Sequence, residues 1–249
     1  MHLIVCDDPV DASDRAARLI VAQRLSADPP LPIGLATGRT MEPLYRALVA
    51  QAATLPQQQR QQLRSGWLSF NLDEYCGLSA ADPRSFAAFM ARHLVGPLGL
   101  DRGQVQLPDG ATVDPAAEAA RYSLAIEAAG GIGLQLLGLG LNGHVGFNEP
   151  PCDAETRCRP VGLSPVTRHQ NAGAFGGDPA AVPARAITLG LADILAAQQV
   201  LLVVTGSAKA AVLARLLEQP PDPALPASWL QRHRAVTVLA DRAACAELA

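Results

Sequence analysis

The sequence predicts an α/β fold: an open, mostly parallel sheet with helices on both faces. Three observations carry that reading. Short apolar runs alternate with helix-patterned stretches along the chain, the order βαβα recurs without an internal sequence repeat, and no long linker interrupts it. Residues 1–249 therefore read as one domain, and the proline-rich stretch Pro220–Pro226 is short enough to be a rigid loop.

The elements follow in order. Leu3–Cys6 reads as the first strand. Ser13 is the candidate cap of a helix in which Ala16, Leu19, Ile20 and Leu25 follow a helical spacing, and Pro29-Pro30 breaks it. Leu31–Leu35 is a second strand, Thr37-Gly38-Arg39-Thr40 a tight loop, and Glu42 to about Ala53 a helix. The polar stretch Gln57–Gln62 reads as a solvated loop entering a helix end, and Trp67–Leu72 as another strand. Ser85–Leu94 places Phe86, Phe89, Met90 and Leu94 on one side of a helix; Asp114–Ala129 is a further helix. Leu134–Leu139 is an apolar run of the kind a strand buried on both faces needs. Ala186–Leu189 is a short strand, 191–196 a helix, Val200–Thr205 a buried strand, Ser207–Glu218 a helix and Ala235–Ala240 the last strand. The segment Cys152–Gly177 is polar and glycine-bearing, as a mobile lid would be.

Composition narrows the function. The 249 residues carry 20 Lys+Arg against 23 Asp+Glu, a net charge of −3, and 49% are apolar. Such a chain can bury a core, and it has no basic stripe with which to displace phosphate counterions, so a nucleic-acid partner is not expected. No apolar run approaches the roughly 18–20 residues of a membrane span. The start, MHLIVCDDPVD, has no basic leader, which reads as a cytoplasmic protein without a signal peptide. The five cysteines form no C-x-x-C pair, so neither a disulfide framework nor a zinc site is expected, and no metal.

In an open parallel sheet, ligands gather beyond the carboxyl ends of the strands. Four strand ends carry unusual polar groups. Ala36-Thr37-Gly38-Arg39-Thr40 offers hydroxyls and backbone N–H groups at a helix start, where an anion is favoured; it lacks the lysine of a nucleotide P-loop. The alternative is a loop that merely turns the chain. Asp73 and Glu74 follow an apolar strand directly, where burial would raise a carboxylate toward the range of a useful base. Adjacent strand residues point to opposite faces, so the two acids should differ in role; the alternative is a helix cap beside a solvated neighbour. Gly140-Leu141-Asn142-Gly143-His144-Val145-Gly146-Phe147-Asn148-Glu149-Pro150 is a glycine-rich loop in which Glu149 can orient His144. Thr205-Gly206-Ser207-Ala208-Lys209 repeats the anion pattern and holds the only lysine of the chain, where a bound anion would explain a cation at a helix start; the alternative is a solvated lysine.

Together these segments resemble the glucosamine-6-phosphate deaminase (glucosamine-6-phosphate isomerase) family, from about residue 31 to residue 240. FNLDEYCGL and LGLGLNGHVGFNEP are the most specific matches; TGRT, TGSAK and RAITLGLADILAAQQVLLVVTG add support. The resemblance implies a single Rossmann-like domain, no metal or organic cofactor, and often an oligomer, which leaves a homo-oligomer open. It implies conversion of glucosamine 6-phosphate and water to fructose 6-phosphate and ammonia. Asp73 matches the base that moves a proton between C2 and C1, His144 the ring-opening catalyst, and Glu149 the carboxylate that holds this histidine. Thr37, Gly38, Thr40 and Lys209 match the phosphate site. Where some members carry Asp, this chain has Asn142, which can accept a hydrogen bond but supplies no charge, so the His144 dyad is expected to rest on Glu149. The family's usual phosphate arginine follows a T-R-x-x-N-x pattern, here Thr167-Arg168-His169-Gln170-Asn171-Ala172, and that next position is Gly173. Arg39, where a glycine is more usual, is the expected replacement, with Arg168 as second candidate. The basic residue that activated members carry two positions after Arg159 is Val161 here, so activation by N-acetylglucosamine 6-phosphate is not expected.

Three other readings stand beside it. A 6-phosphogluconolactonase has the same sheet and phosphate loops but needs no proton transfer at C2. A sugar-phosphate isomerase would release no ammonia. A non-catalytic sugar-phosphate sensor would need neither Asp73 nor His144 and usually carries a helix-turn-helix, for which no segment has room.

Overall fold

The computed structural model of the chain describes residues 1–26 and 30–248. The first half runs β1 (His2–Cys6), α1 (Pro9–Leu25), β2 (Ile33–Leu35), α2 (Met41–Thr54), α3 (Gln57–Ser65), β3 (Ser69–Asn71) and β4 (Asp73–Tyr75). Then come α4 (Phe86–Met90), a π-type turn (Ala91–Val95), α5 (Gly96–Leu98), β5 (Val105–Gln106), α6 (Pro115–Ala128) and β6 (Leu134–Gly138). The last part holds β7 (Arg159–Gly162), α7 (Pro165–Asn171), β8 (Arg185–Thr188), α8 (Leu191–Leu195), β9 (Gln199–Val204), α9 (Ala210–Glu218) and β10 (Val236–Asp241).

The predicted open sheet with flanking helices is present. Seven parallel strands lie in the order β1-β10-β9-β6-β2-β3-β5. From β2 the chain moves one way to β3 and β5. It then returns to β6 on the other side of β2 and continues through β9 and β10. The loops after β2 and β6 therefore leave neighbouring strands in opposite directions, and the gap between them is the switch point at which such sheets bind ligands. The central strands are packed from both faces by Ile33, Leu35, Leu136, Leu137, Leu202 and Val203, all buried. The apolar run 134–139 contains one polar exception, Gln135, which is fully buried; its side chain fills the space beside Gly34 on β2, where any Cβ would collide with it.

Local chemistry sets the helix ends. Asp8, in extended backbone, accepts from the N–H groups of Val10 and Asp11, and Pro9 occupies the first turn of α1. Ser13 is therefore not the cap: it lies buried inside α1, and its hydroxyl donates to the Pro9 carbonyl. Pro29 of the expected proline break lies outside the described residues. Asp114 caps α6 in the same way as Asp8 caps α1. Gln57–Ser65 is helical rather than a loop; Gln, Arg and Leu are good helix formers, and one buried residue, Leu63, suffices to dock it.

The main departure from the sequence reading is a second, three-stranded sheet, β4-β8-β7, with antiparallel pairing throughout. The run Trp67–Leu72 is not one strand that ends at a loop. The Leu72 N–H donates to the Leu35 carbonyl of the large sheet (2.8 Å), and its own carbonyl accepts from Leu189 N–H at the small sheet (2.8 Å). One residue thus hands the chain from one sheet to the other, and Asp73 is the first residue past the crossing. The segment Cys152–Gly177 carries β7, α7 and a 3-10 turn (Ala172–Phe175). Among the described residues no helix is long and apolar enough to cross a membrane.

Candidate functional site

A polar cleft of about 190 Å³ opens at the switch point. Its walls come from 36–41 after β2, Leu72 and Asp73 at the sheet crossing, Phe86, the 138–140 turn with His144, Gly146 and Phe147, the end of α7 and Lys209. Among the predicted residues Thr37, Gly38, Arg39, Thr40, Asp73, His144 and Lys209 meet here. A roomier cavity of about 340 Å³ lies beneath α4, but its lining is mainly apolar and none of these groups borders it, only Glu74, the neighbour of Asp73. The convergence of titratable groups, rather than volume, marks the site.

Asp73 is 6% exposed, and no hydrogen bond from the described residues reaches its carboxylate. Burial first, and the neighbouring Glu74 charge second, push it up to about 8. Gly146 keeps the space above it open: a Cβ there would lie 3.4 Å from Asp73 Oδ2 and 3.0 Å from Thr188 Oγ1. Neither acid is solvated, since Glu74 is 2% exposed.

His144 stands half-buried against Gly140, where any side chain would overlap its ring. Its Nδ1 lies 2.6 Å from Asn142 Oδ1, and its own backbone N–H donates to the same oxygen (3.3 Å). Two donors converge on one acceptor, so Nδ1 carries the hydrogen and Nε2 keeps its lone pair. Burial pulls the imidazole down to about 4; Glu149 opposes this and Lys209 adds to it. The ring is thus a neutral base at physiological pH.

Two expectations need correction. The partner that holds His144 is Asn142, not Glu149. The turn through Gly143 (φ 82°) brings Asn142 back beneath the ring, whereas the Glu149 carboxylate accepts from the Ser164 N–H at the start of α7 (3.2 Å). Glu149 reaches His144 only through its field. Arg168 does not border the cleft: its Nε donates to the Val182 carbonyl (3.2 Å) and its Nη2 to that of Ala180 (2.9 Å). The same helix instead presents Gln170 and Asn171 to the cleft, two residues the sequence reading passed over while following the arginine of that pattern.

The anion-binding side combines two strand-end loops. Gly38 has φ 109°, a left-handed conformation that only glycine adopts freely. The loop base is fixed by Tyr45, whose buried hydroxyl donates to the Ala36 carbonyl. Thr40 makes no capping bond, so the first N–H groups of α2 are not claimed by its side chain. Across the cleft, Gly206 (φ 89°) donates its N–H to both carboxylate oxygens of buried Asp241 (3.0 Å each), which anchors the turn that carries Lys209. Burial and the nearby Arg39 charge pull Lys209 down to about 8. Two cations held close enough to disfavour one another form a site that an anion relieves.

Comparison with known proteins agrees. Residues 7–239 match the model of the family described as glucosamine-6-phosphate isomerases/6-phosphogluconolactonase. The chain is 40% identical to a glucosamine-6-phosphate deaminase of Geobacillus sp. (strain WCH70), over 97% of this chain and 94% of that one. It superposes on the solved structure of a monomeric glucosamine-6-phosphate deaminase with a TM-score of 0.93 at 35% identity, covering 99% of this chain and 100% of the other. A 6-phosphogluconolactonase from Trypanosoma cruzi, 22% identical over 99% of this chain and 96% of its own, shares the fold with a TM-score of 0.77. By sequence and by architecture, the chain belongs to the family of glucosamine-6-phosphate isomerases and 6-phosphogluconolactonases.

Proposed function

We propose that the chain is a deaminating isomerase that converts glucosamine 6-phosphate and water to fructose 6-phosphate and ammonia. The observation that carries this reading is the meeting of one buried carboxylate, one neutral imidazole and two cations in a single cleft. Its relatives at about 40% identity are named for this activity, whereas the lactonases resemble it in fold alone.

The roles follow from the chemistry. Lys209, Arg39, the Thr37 and Thr40 hydroxyls and the backbone at Gly38 grip the phosphate, and that remote binding energy orients the reacting end. His144, with Nδ1–H fixed by Asn142, accepts the hydroxyl proton at Nε2 and returns it to the ring oxygen as the pyranose opens. Glu149 supports the transient imidazolium through its field. Asp73 takes the proton from C2 and delivers it to C1 while the C1 oxygen gains a proton and the amine nitrogen loses one, leaving an imine at C2; water adds to that imine and ammonia leaves, giving the C2 ketone. A carboxyl raised toward 8 is a stronger base toward the C2 proton than an ordinary carboxylate, and its value lies close enough to neutral pH for both protonation states to be reached in the exchange. No step calls for an organic cofactor. A dianionic sugar phosphate does not cross a bilayer unaided, so the reading places the chain in the cytoplasm, with its substrate.

The test is a direct assay of ammonia and fructose 6-phosphate from glucosamine 6-phosphate, with 6-phosphogluconolactone hydrolysis measured in parallel. Equimolar ammonia and ketose support the reading; lactone hydrolysis without ammonia overturns it.

A further inference from the structure

A carboxylate beside the cleft has no part in the scheme above. Glu74 follows Asp73 on β4 and therefore points to the other side of the strand. Its Oε1 accepts from the N–H groups of Tyr75 (2.8 Å) and Phe86 (2.9 Å), and its Oε2 from that of Ala87 (2.8 Å). Two of these three bonds cross to the first turn of α4.

Among the described residues no other hydrogen bond links that turn to β4; its remaining link to the strand is the Phe86 ring against Tyr75. α4 opens a helical stretch that continues through the π-type turn and α5 to Leu98, and within α4 only Met90 is buried. Its Ala87 and Met90 line the cavity of about 340 Å³, while Met90 also packs into the main core. Ser85 caps the helix through Ala88 N–H, but that bond stays within the segment and gives no link to β4. Yet Phe86, the first residue of α4, must sit correctly: its ring lines the cleft and packs on Tyr75 (centroids 4.6 Å apart) and Phe147 (6.0 Å).

We propose that Glu74 is a positioning residue of the reaction: its carboxylate ties the first turn of α4 to β4 and so holds Phe86 as a wall of the cleft in which Asp73 works. The inference rests on the proposed function for its catalytic consequence. The titratable and charged groups facing Glu74 are Asp73, Tyr75 and Cys76 along its own strand and just beyond, Asp82 on the loop, and Arg102 and Asp109 across the cavity. Burial pushes Glu74 up to about 7 against the pull of its three N–H donors. The tie therefore weakens in an accessible range: as pH falls through 7, one acceptor oxygen becomes an O–H.

The variant Glu74→Gln keeps the shape, removes the charge and places an amide NH2 where one oxygen accepted. Amide exchange at Phe86 and Ala87, read by NMR, is expected to accelerate about tenfold or more. The acidic limb of the kcat/KM profile for glucosamine 6-phosphate is expected to move to lower pH, because the negative charge beside Asp73 is gone. Unchanged exchange, or a limb that stays in place, overturns the proposal. Should the variant not fold, the wild-type chain decides: the Phe86 and Ala87 amide shifts are expected to titrate together with the Glu74 side-chain carboxyl followed by 13C NMR, and amide shifts that stay flat while that carboxyl titrates refute the tie. If the wild type releases no ammonia, the proposed reaction fails, while the exchange and titration experiments still test the tie separately.

Discussion

The buried carboxyl at position 73 makes a stability prediction that is independent of turnover. A carboxyl moved from its ordinary 3.8 to about 8 costs, at about 1.36 kcal/mol per pH unit, about 6 kcal/mol once the solution is above pH 8. The sign is fixed by the direction of the displacement. Below pH 3.8 the group is neutral in both folded and unfolded chains and imposes nothing. As pH rises toward 8 the unfolded chain ionises and the folded one resists, so stability falls. Water entering the cleft and local relaxation offset part of the ceiling. Asp73→Asn removes the ionisable group and keeps its shape. Relative to wild type, this variant is expected to gain about 2–4 kcal/mol at pH 9 and close to nothing at pH 4. Glu74 is present in both proteins, so the difference reports position 73 together with its coupling to Glu74. Urea unfolding at the two pH values, followed by circular dichroism, measures it. Parallel stability curves for the two proteins would refute the reasoning.

Other expectations concern the cleft. Arg39→Ala and Lys209→Ala are each expected to raise KM for the phosphorylated sugar about tenfold or more, as loss of a charge-assisted bond does, whereas Arg168→Ala should leave KM unchanged because its guanidinium is bound to the 180 and 182 carbonyls. Steady-state kinetics on the three variants distinguishes them. Gly140→Ala puts a methyl into the His144 ring and should lower kcat about 100-fold with binding retained, seen by comparing kcat with phosphate affinity. Asn142→Asp places a charge against Nδ1 and should raise the imidazole above its value of about 4, which NMR titration of the ring protons would register.

Six of the seven strands of the large sheet were legible because they are short apolar runs and parallel strands bury both faces; the seventh, β5, is the two residues Val105–Gln106 and leaves no such run. Of the small sheet only β8 was legible, as the short strand 186–189. β7 reads Arg-Pro-Val-Gly, with no alternation, and β4 is Asp-Glu-Tyr, a polar triplet whose burial no pattern announces. Its existence depends on Leu72 bonding to both sheets, a tertiary event. The cleft itself was legible at the strand ends, since a parallel sheet delivers all its carboxyl ends to one edge. Which group holds His144 was not, because the choice between Asn142 and Glu149 is made by the backbone at Gly143 rather than by residue type. Gln170 and Asn171 escaped notice because they come from α7, which follows no strand of the large sheet.

The measurement closest to the central claim is ammonia release from glucosamine 6-phosphate by wild-type and Asp73→Asn protein, with inorganic phosphate binding measured on both. If Asp73 moves the proton between C2 and C1, the variant should lose about 10²–10⁴-fold in kcat while binding phosphate as the wild type does. Ammonia release at an undiminished rate by the variant would contradict the account.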